Sequence, residues 1–146
     1  MMKKIFLAAL VISSAMISCK KDSDPVCEKS VGGIAGSYKL TKEELVVSGT
    51  PSPITLTPCV QGAIIRLNAD KTVTYTESGS SCTDSFTGVW DVVNNKISIS
   101  ETTSGGSVVV YDNAAIDSWN CTDLVVSEDV NISGTSGKYV TTFTKQ

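Results

Sequence analysis

Leu67-Asn68-Ala69-Asp70-Lys71-Thr72-Val73-Thr74-Tyr75 reads as the end of one strand, a turn and the start of another. Asn and Asp accept turn conformations and bond locally to their own backbone, so the chain reverses at Ala69-Asp70. Beyond the turn, Val73 and Tyr75 alternate with Thr72, Thr74 and Thr76. A period of two with β-branched and aromatic residues is the mark of a strand with one dry and one wet face.

The same pattern extends in both directions. Short runs rich in Val, Ile, Thr, Tyr and Ser are predicted at residues 37–47, 61–67, 72–77, 85–92, 96–101, 107–112, 123–128 and 138–144. Gly, Asn, Asp and Pro interrupt them, which is the spacing of an all-β domain. Asn94-Asn95 suits a two-residue hairpin that needs positive φ. Residues 48–59, with Pro51, Pro53 and Pro58, read as an irregular connection lying across one end of a barrel. Gly32-Gly33-Ile34-Ala35-Gly36 reads as a flexible, non-helical entry to the first strand. Tyr38 and Leu40 share a face, as do Ile97 and Ile99, and Tyr139, Thr141 and Phe143. Closing such a sheet removes its exposed edges.

The start of the chain has a different character. Lys3 and Lys4 precede an apolar stretch at 5–12, and small or moderately apolar residues follow to Ser18. That is the order of a secretory signal peptide, here residues 1–18. The apolar stretch is shorter than the ~20 residues a membrane-spanning helix needs. Met16-Ile17-Ser18-Cys19 resembles a bacterial lipobox, with Met16 where Leu is usual. The resemblance implies that Cys19 carries lipid and is the partner of a membrane. The tract Lys20-Lys21-Asp22-Ser23-Asp24-Pro25 resembles the region after the lipidated Cys in Bacteroidetes lipoproteins. It implies an outer-membrane location, on the periplasmic face or the cell surface. Residues 19–32 are read as lipidated Cys plus tether, and 33–146 as the domain.

Five cysteines less Cys19 leave Cys27, Cys59, Cys82 and Cys121. An even count in an exported chain reads as two disulfides, with three possible connectivities. Reversal at Ala69-Asp70 places Cys59 opposite about residue 80, near Cys82, which favours Cys59–Cys82 and by exclusion Cys27–Cys121. A zinc site is the competing reading, but the chain has no C-x-x-C pair and no histidine, so no metal or cofactor is expected. With Lys3 and Lys4 removed from 12 basic residues, against 15 acidic ones, the chain from Cys19 onward carries a balance of −5. Nucleic acid is therefore an unsuitable partner.

Gly36-Ser37-Tyr38-Lys39-Leu40, the hairpin at 67–75 and Gly88-Val89-Trp90-Asp91-Val92 follow one another in an order that resembles the lipocalin-like domain of Bacteroidetes lipoproteins. That family has a Gly-x-Trp near its start, a hairpin flanked by cysteines, then another Gly-x-Trp. The resemblance runs from about Gly33 to Lys145. Tyr38 stands where Trp is usual, which weakens the expected plug at the barrel base. Lys71 stands where Gly is usual, which suggests a different turn. The resemblance implies a small antiparallel up-and-down barrel or half-barrel of eight strands, and names no ligand.

No catalytic set emerges. Without histidine the usual Ser-His-Asp and Cys-His arrangements are impossible. Asp112 with Asp117, or Glu43 with Glu44, could pair for glycoside hydrolysis, but each reads as solvated surface. Trp119 sits in a stretch read as a polar loop, either packing over a disulfide at a barrel end or offering an exposed aromatic contact. The expected function is a non-enzymatic barrel that holds a small apolar ligand between Tyr75, Trp90 and Phe143. The alternative is a filled barrel whose loops meet or inhibit a protein partner.

Overall fold

The computed structural model describes residues 26–79 and 81–146. The expected signal peptide, Cys19 and the segment 20–25 lie outside the described residues. Among the described residues nine strands form, all paired antiparallel: β1 (Gly36–Val47), β2 (Thr50–Ile54), β3 (Ile64–Leu67), β4 (Thr72–Thr76), β5 (Ser85–Val93), β6 (Lys96–Thr103), β7 (Gly106–Trp119), β8 (Asp123–Ile132) and β9 (Thr135–Lys145). From β3 to β9 each strand pairs with the next, and β1 pairs with both β3 and β9. Eight strands therefore close into a barrel, as expected. The extra strand, β2, folds back on the second half of β1, with Glu43 opposite Ile54 and Val47 opposite Thr50.

The turns follow from local chemistry. Asp70 Oδ1 accepts from the Thr72 amide (3.0 Å) and hydroxyl (2.6 Å), and the Lys71 amide donates to Asn68 O (3.0 Å). Lys71 takes φ +67°. That is the left-handed region glycine enters freely, so this turn keeps the backbone that a Gly would favour, contrary to expectation. Asn94 and Asn95 take φ +52° and +59°, the paired positive values a tight hairpin needs. Gly88 faces the β6 backbone so closely that a Cβ there would lie 1.9 Å from Ser100 O.

Residues 48–59 correct the reading of an irregular connection. Their first half is β2. Their second half leads into a short helix, α2 (Pro58–Gly62). The Thr57 hydroxyl accepts from the Val60 amide (3.4 Å), and Pro58 occupies a first-turn position that has no amide to satisfy. A second short helix, α1 (Val31–Ile34), replaces the expected flexible entry; Ser30 caps it by accepting from the Gly33 amide (3.2 Å). The packed domain thus starts before Gly33. Cys27 is bonded to Cys121 (Cα–Cα 5.2 Å), and Lys29 Nζ donates to Ile116 O (2.7 Å). The second disulfide joins Cys59 in α2 to Cys82 in the β4–β5 loop (Cα–Cα 5.4 Å). Both expected pairings are present.

One end of the barrel is solid. Tyr38, Val73, Trp90, Ile97, Ile99, Ile116, Leu124 and Ile34 of α1 form a buried core. Tyr38 fills the base although Trp is usual there. It is fully buried, its hydroxyl donates to Ile34 O, and its ring meets Trp119 at 6.1 Å. Lys145 Nζ lies over both rings, 6.0 Å from Tyr38 and 5.6 Å from Trp119, within the range of cation–π attraction. Trp119 is not in a loop: it ends β7 and is buried. Of the two readings offered for it, the structure supports closure of a barrel end.

Candidate functional site

The other end of the barrel is hollow. A cavity of about 230 Å³ opens there, lined by Leu40, Ile65, Tyr75, Phe86, Tyr111 and Phe143 from the strands and by Val60 and Ala63 at α2. The wall is almost wholly apolar, with Glu43 as its ionisable exception among carboxylates and amines. Below it, between Tyr38, Leu67, Ile99, Leu124 and Phe143, only about 10 Å³ remains open. That is about the least volume a water occupies. The barrel is thus filled in its lower half and empty in its upper half.

Cross-strand pairing builds the cavity wall. Tyr75 lies opposite Phe86 across β4 and β5, and their rings stack at 5.2 Å. Phe143 of β9 lies opposite Leu40 of β1 and meets the Tyr111 ring edge-on at 6.1 Å. Such aromatic pairs contribute about 0.5–1.5 kcal/mol each beyond the area they bury. The hydroxyls point to defined partners: Tyr75 donates to Glu77 Oε1 (3.2 Å) and Tyr111 to Thr141 Oγ1 (3.3 Å). Burial pushes both phenols up to about 12; for Tyr75 the bond to Glu77 adds to this. Tyr139 is also pushed up, first by burial and then by Glu43 beside it.

Two of the three residues expected to touch a ligand, Tyr75 and Phe143, are brought together here. Trp90 is placed elsewhere. It is 2% exposed, and its Nε1 donates to Asn68 O (2.9 Å) in the solid half. The reason is register: Trp90 lies opposite Ile99, well toward the β3–β4 turn, whereas Phe86 on the same face stands two steps of alternation further up, beyond Gly88. Glu43 is the residue that strand alternation missed. Counting by twos from Tyr38 and Leu40 puts Lys42 and Glu44 inside. A register shift between Leu40 and Lys42 reverses this, so Glu43 lies opposite Thr141 and Leu45 opposite Tyr139, all on the inner face. The sequence carries no clear signal of the change, because Leu45, Val46 and Val47 are all apolar and neither parity stands out after Leu40. Glu44 faces outward and pairs with Lys42 (2.8 Å). Asp112 lies beside Asn113 and Glu128 in a polar groove, while Asp117 sits near Lys29 at the closed end. The carboxylate pairs weighed for hydrolysis are therefore not assembled into one site.

The comparisons agree with this architecture. The lipocalin-like domain matches residues 34–126, more than half of the chain. The match runs from the last residue of α1 into the first part of β8, so β9, the strand that closes the barrel against β1, lies beyond it. No curated protein and no solved structure matches the chain. A closed eight-stranded barrel entered through a base-capping helix, together with that match, places the chain in the family of lipocalin-like domains.

Proposed function

We propose that this protein is a lipoprotein of the outer membrane, anchored through Cys19, whose barrel holds a small apolar ligand without chemically altering it. The observation that carries the binding reading is the cavity of about 230 Å³ in the upper barrel, walled by Leu40, Ile65, Tyr75, Phe86, Tyr111 and Phe143. Eight-stranded barrels of this size either fill with side chains or hold one small ligand. This one does the first below Phe143 and leaves room for the second above it. An engineered apolar cavity of about 150 Å³ takes up benzene, so this space suits one ring with a short substituent. The anchor reading is supported by the lipobox-like Met16-Ile17-Ser18-Cys19.

Native mass spectrometry of the protein purified from cells tests the binding reading. A small apolar molecule that leaves on denaturation is the expected result. A ligand-free mass, together with no displacement of an added hydrophobic dye by any small aromatic compound, overturns it. For the anchor, Cys19→Ala should abolish labelled-palmitate incorporation and free the protein from the membrane fraction; retention of both counts against it.

A second reading, contact with a protein partner, is favoured by Val108 and Val109, which stand 52% and 60% exposed near the tip of the β6–β7 hairpin. Substituting both with Ser would then weaken partner capture while leaving ligand uptake unchanged.

A further inference from the structure

An apolar ligand leaves one feature of the cavity unexplained, the carboxylate of Glu43 in its wall. Its position is built rather than incidental. The shift between Leu40 and Lys42 costs β1 its regular ladder and turns Glu43 inward opposite Thr141. It lies close enough to Tyr139 to help push that phenol up. Among the described residues two ion pairs form, Lys42–Glu44 and Lys71–Asp91, and neither involves Glu43. Glu43 therefore enters an apolar wall with no ion-pair partner of its own among the described residues.

Among the described residues Glu43 is the one carboxylate in the cavity wall, and no lysine or arginine lines it; Glu77, Asp84 and Glu128 stand close enough to help raise the phenols of Tyr75 and Tyr111. A concave, apolar site with a carboxylate and no cation in its wall attracts ligands of positive charge. The aromatic faces of Tyr75, Phe86, Tyr111 and Phe143 add attraction for a cation. An anionic head group, such as that of a fatty acid, would meet repulsion at the same place.

Resting on the reading of this cavity as the ligand site, we propose that its ligand is a small amphipathic amine, whose ammonium pairs with Glu43 and whose apolar body lies among Ile65, Tyr75, Phe86 and Phe143. The size of the cavity limits that body to about one ring with a chain of two or three atoms.

Calorimetric titration of the purified protein at neutral pH and 0.15 M salt tests this with three probes of matched shape: 2-phenylethylammonium, 2-phenylethanol and 3-phenylpropanoate. The amine should bind roughly tenfold or more tightly than the alcohol, the gain expected of a charge-assisted hydrogen bond, and the carboxylate most weakly. That ranking needs no variant. Glu43→Gln should bring amine and alcohol to equal affinity, while Glu44→Gln, on the outer face, should leave the preference intact. Equal binding of amine and alcohol by the unsubstituted protein overturns the amine inference and leaves the cavity reading standing. An amine preference that survives Glu43→Gln overturns the assignment to Glu43. Failure of all three probes, and of the hydrophobic dye, removes the cavity reading and this inference with it.

Discussion

At Lys71 the backbone enters the left-handed region at φ +67°, where a Cβ costs roughly 1–2 kcal/mol. The side chain recovers part of that through Nζ, which pairs with Asp91 Oδ2 at 2.8 Å, an exposed contact of the kind that contributes about 0–1 kcal/mol. Lys71→Gly loses the pair and the strain together. Lys71→Ala loses the pair and keeps the strain. The glycine variant should therefore be more stable than the alanine variant by about 1 kcal/mol, read from their urea midpoints. Equal midpoints would mean that the turn relaxes out of the left-handed region once the lysine is gone. The family's usual glycine at this position is explained by the same backbone, since the turn demands positive φ whichever residue occupies it.

Among elements, the two disulfides do different jobs. Cys27–Cys121 spans 94 residues and fastens the segment before α1 to the closed end, beside Trp119 and Ile116. Cys59–Cys82 spans 23 residues and fastens α2, whose Val60 lines the cavity, to the β4–β5 loop. Chain entropy alone assigns about 4.7 kcal/mol to a loop of about 100 residues and about 3 kcal/mol to one of about 15. Replacing Cys27 and Cys121 by Ser should thus cost the larger share of stability and leave ligand affinity unchanged in the molecules that remain folded. Replacing Cys59 and Cys82 should cost less stability but loosen α2, and affinity should fall. Thermal unfolding and ligand titration of both double variants separate the two roles. Unchanged affinity after replacing Cys59 and Cys82 would show that α2 is held in place without its disulfide.

For the whole molecule, all four tyrosines of the chain, Tyr38, Tyr75, Tyr111 and Tyr139, have phenols pushed above their usual value of 10.0, in every case first by burial. Tyr38, Tyr75 and Tyr111 reach about 12. The folded state then holds protons that the unfolded chain releases near pH 10, so the stabilising effect is complete below pH 10 and lost as pH rises toward 12. Tyrosinate absorbance should stay flat to beyond pH 11 in the native protein and then rise together with loss of the β-sheet circular dichroism signal. A stepwise rise near pH 10 with the sheet intact would show that the barrel admits water to these phenols. Both halves of the barrel contribute, since Tyr38 lies in the solid end and the other three around or above the cavity.

How much of this was legible in the sequence depended on the range of the interaction concerned. Strand alternation is local, with period two along the backbone. Val73 with Tyr75, Ile97 with Ile99, and Tyr139 with Thr141 and Phe143 could therefore be assigned to one face each, and the Asn94-Asn95 hairpin follows from two residues alone. The even set of four cysteines and the spacing of Cys59 and Cys82 about one turn also pointed to the pairings found. Three features were beyond local reading. The bulge after Leu40 exists because β1 must satisfy β9 along its whole length while passing from β3 to β2 on its other side. α2 forms among prolines because Thr57 and Pro58 cap it and a disulfide holds it against the barrel mouth. The hollow lies above Phe143, and Trp90 lies below it, because the volume left inside a barrel depends on which side chains meet across it. Residue patterns therefore sufficed for the class of fold and its covalent staples. The depth of the cavity, its cover and the glutamate in its wall were settled by contacts between strands distant in the chain.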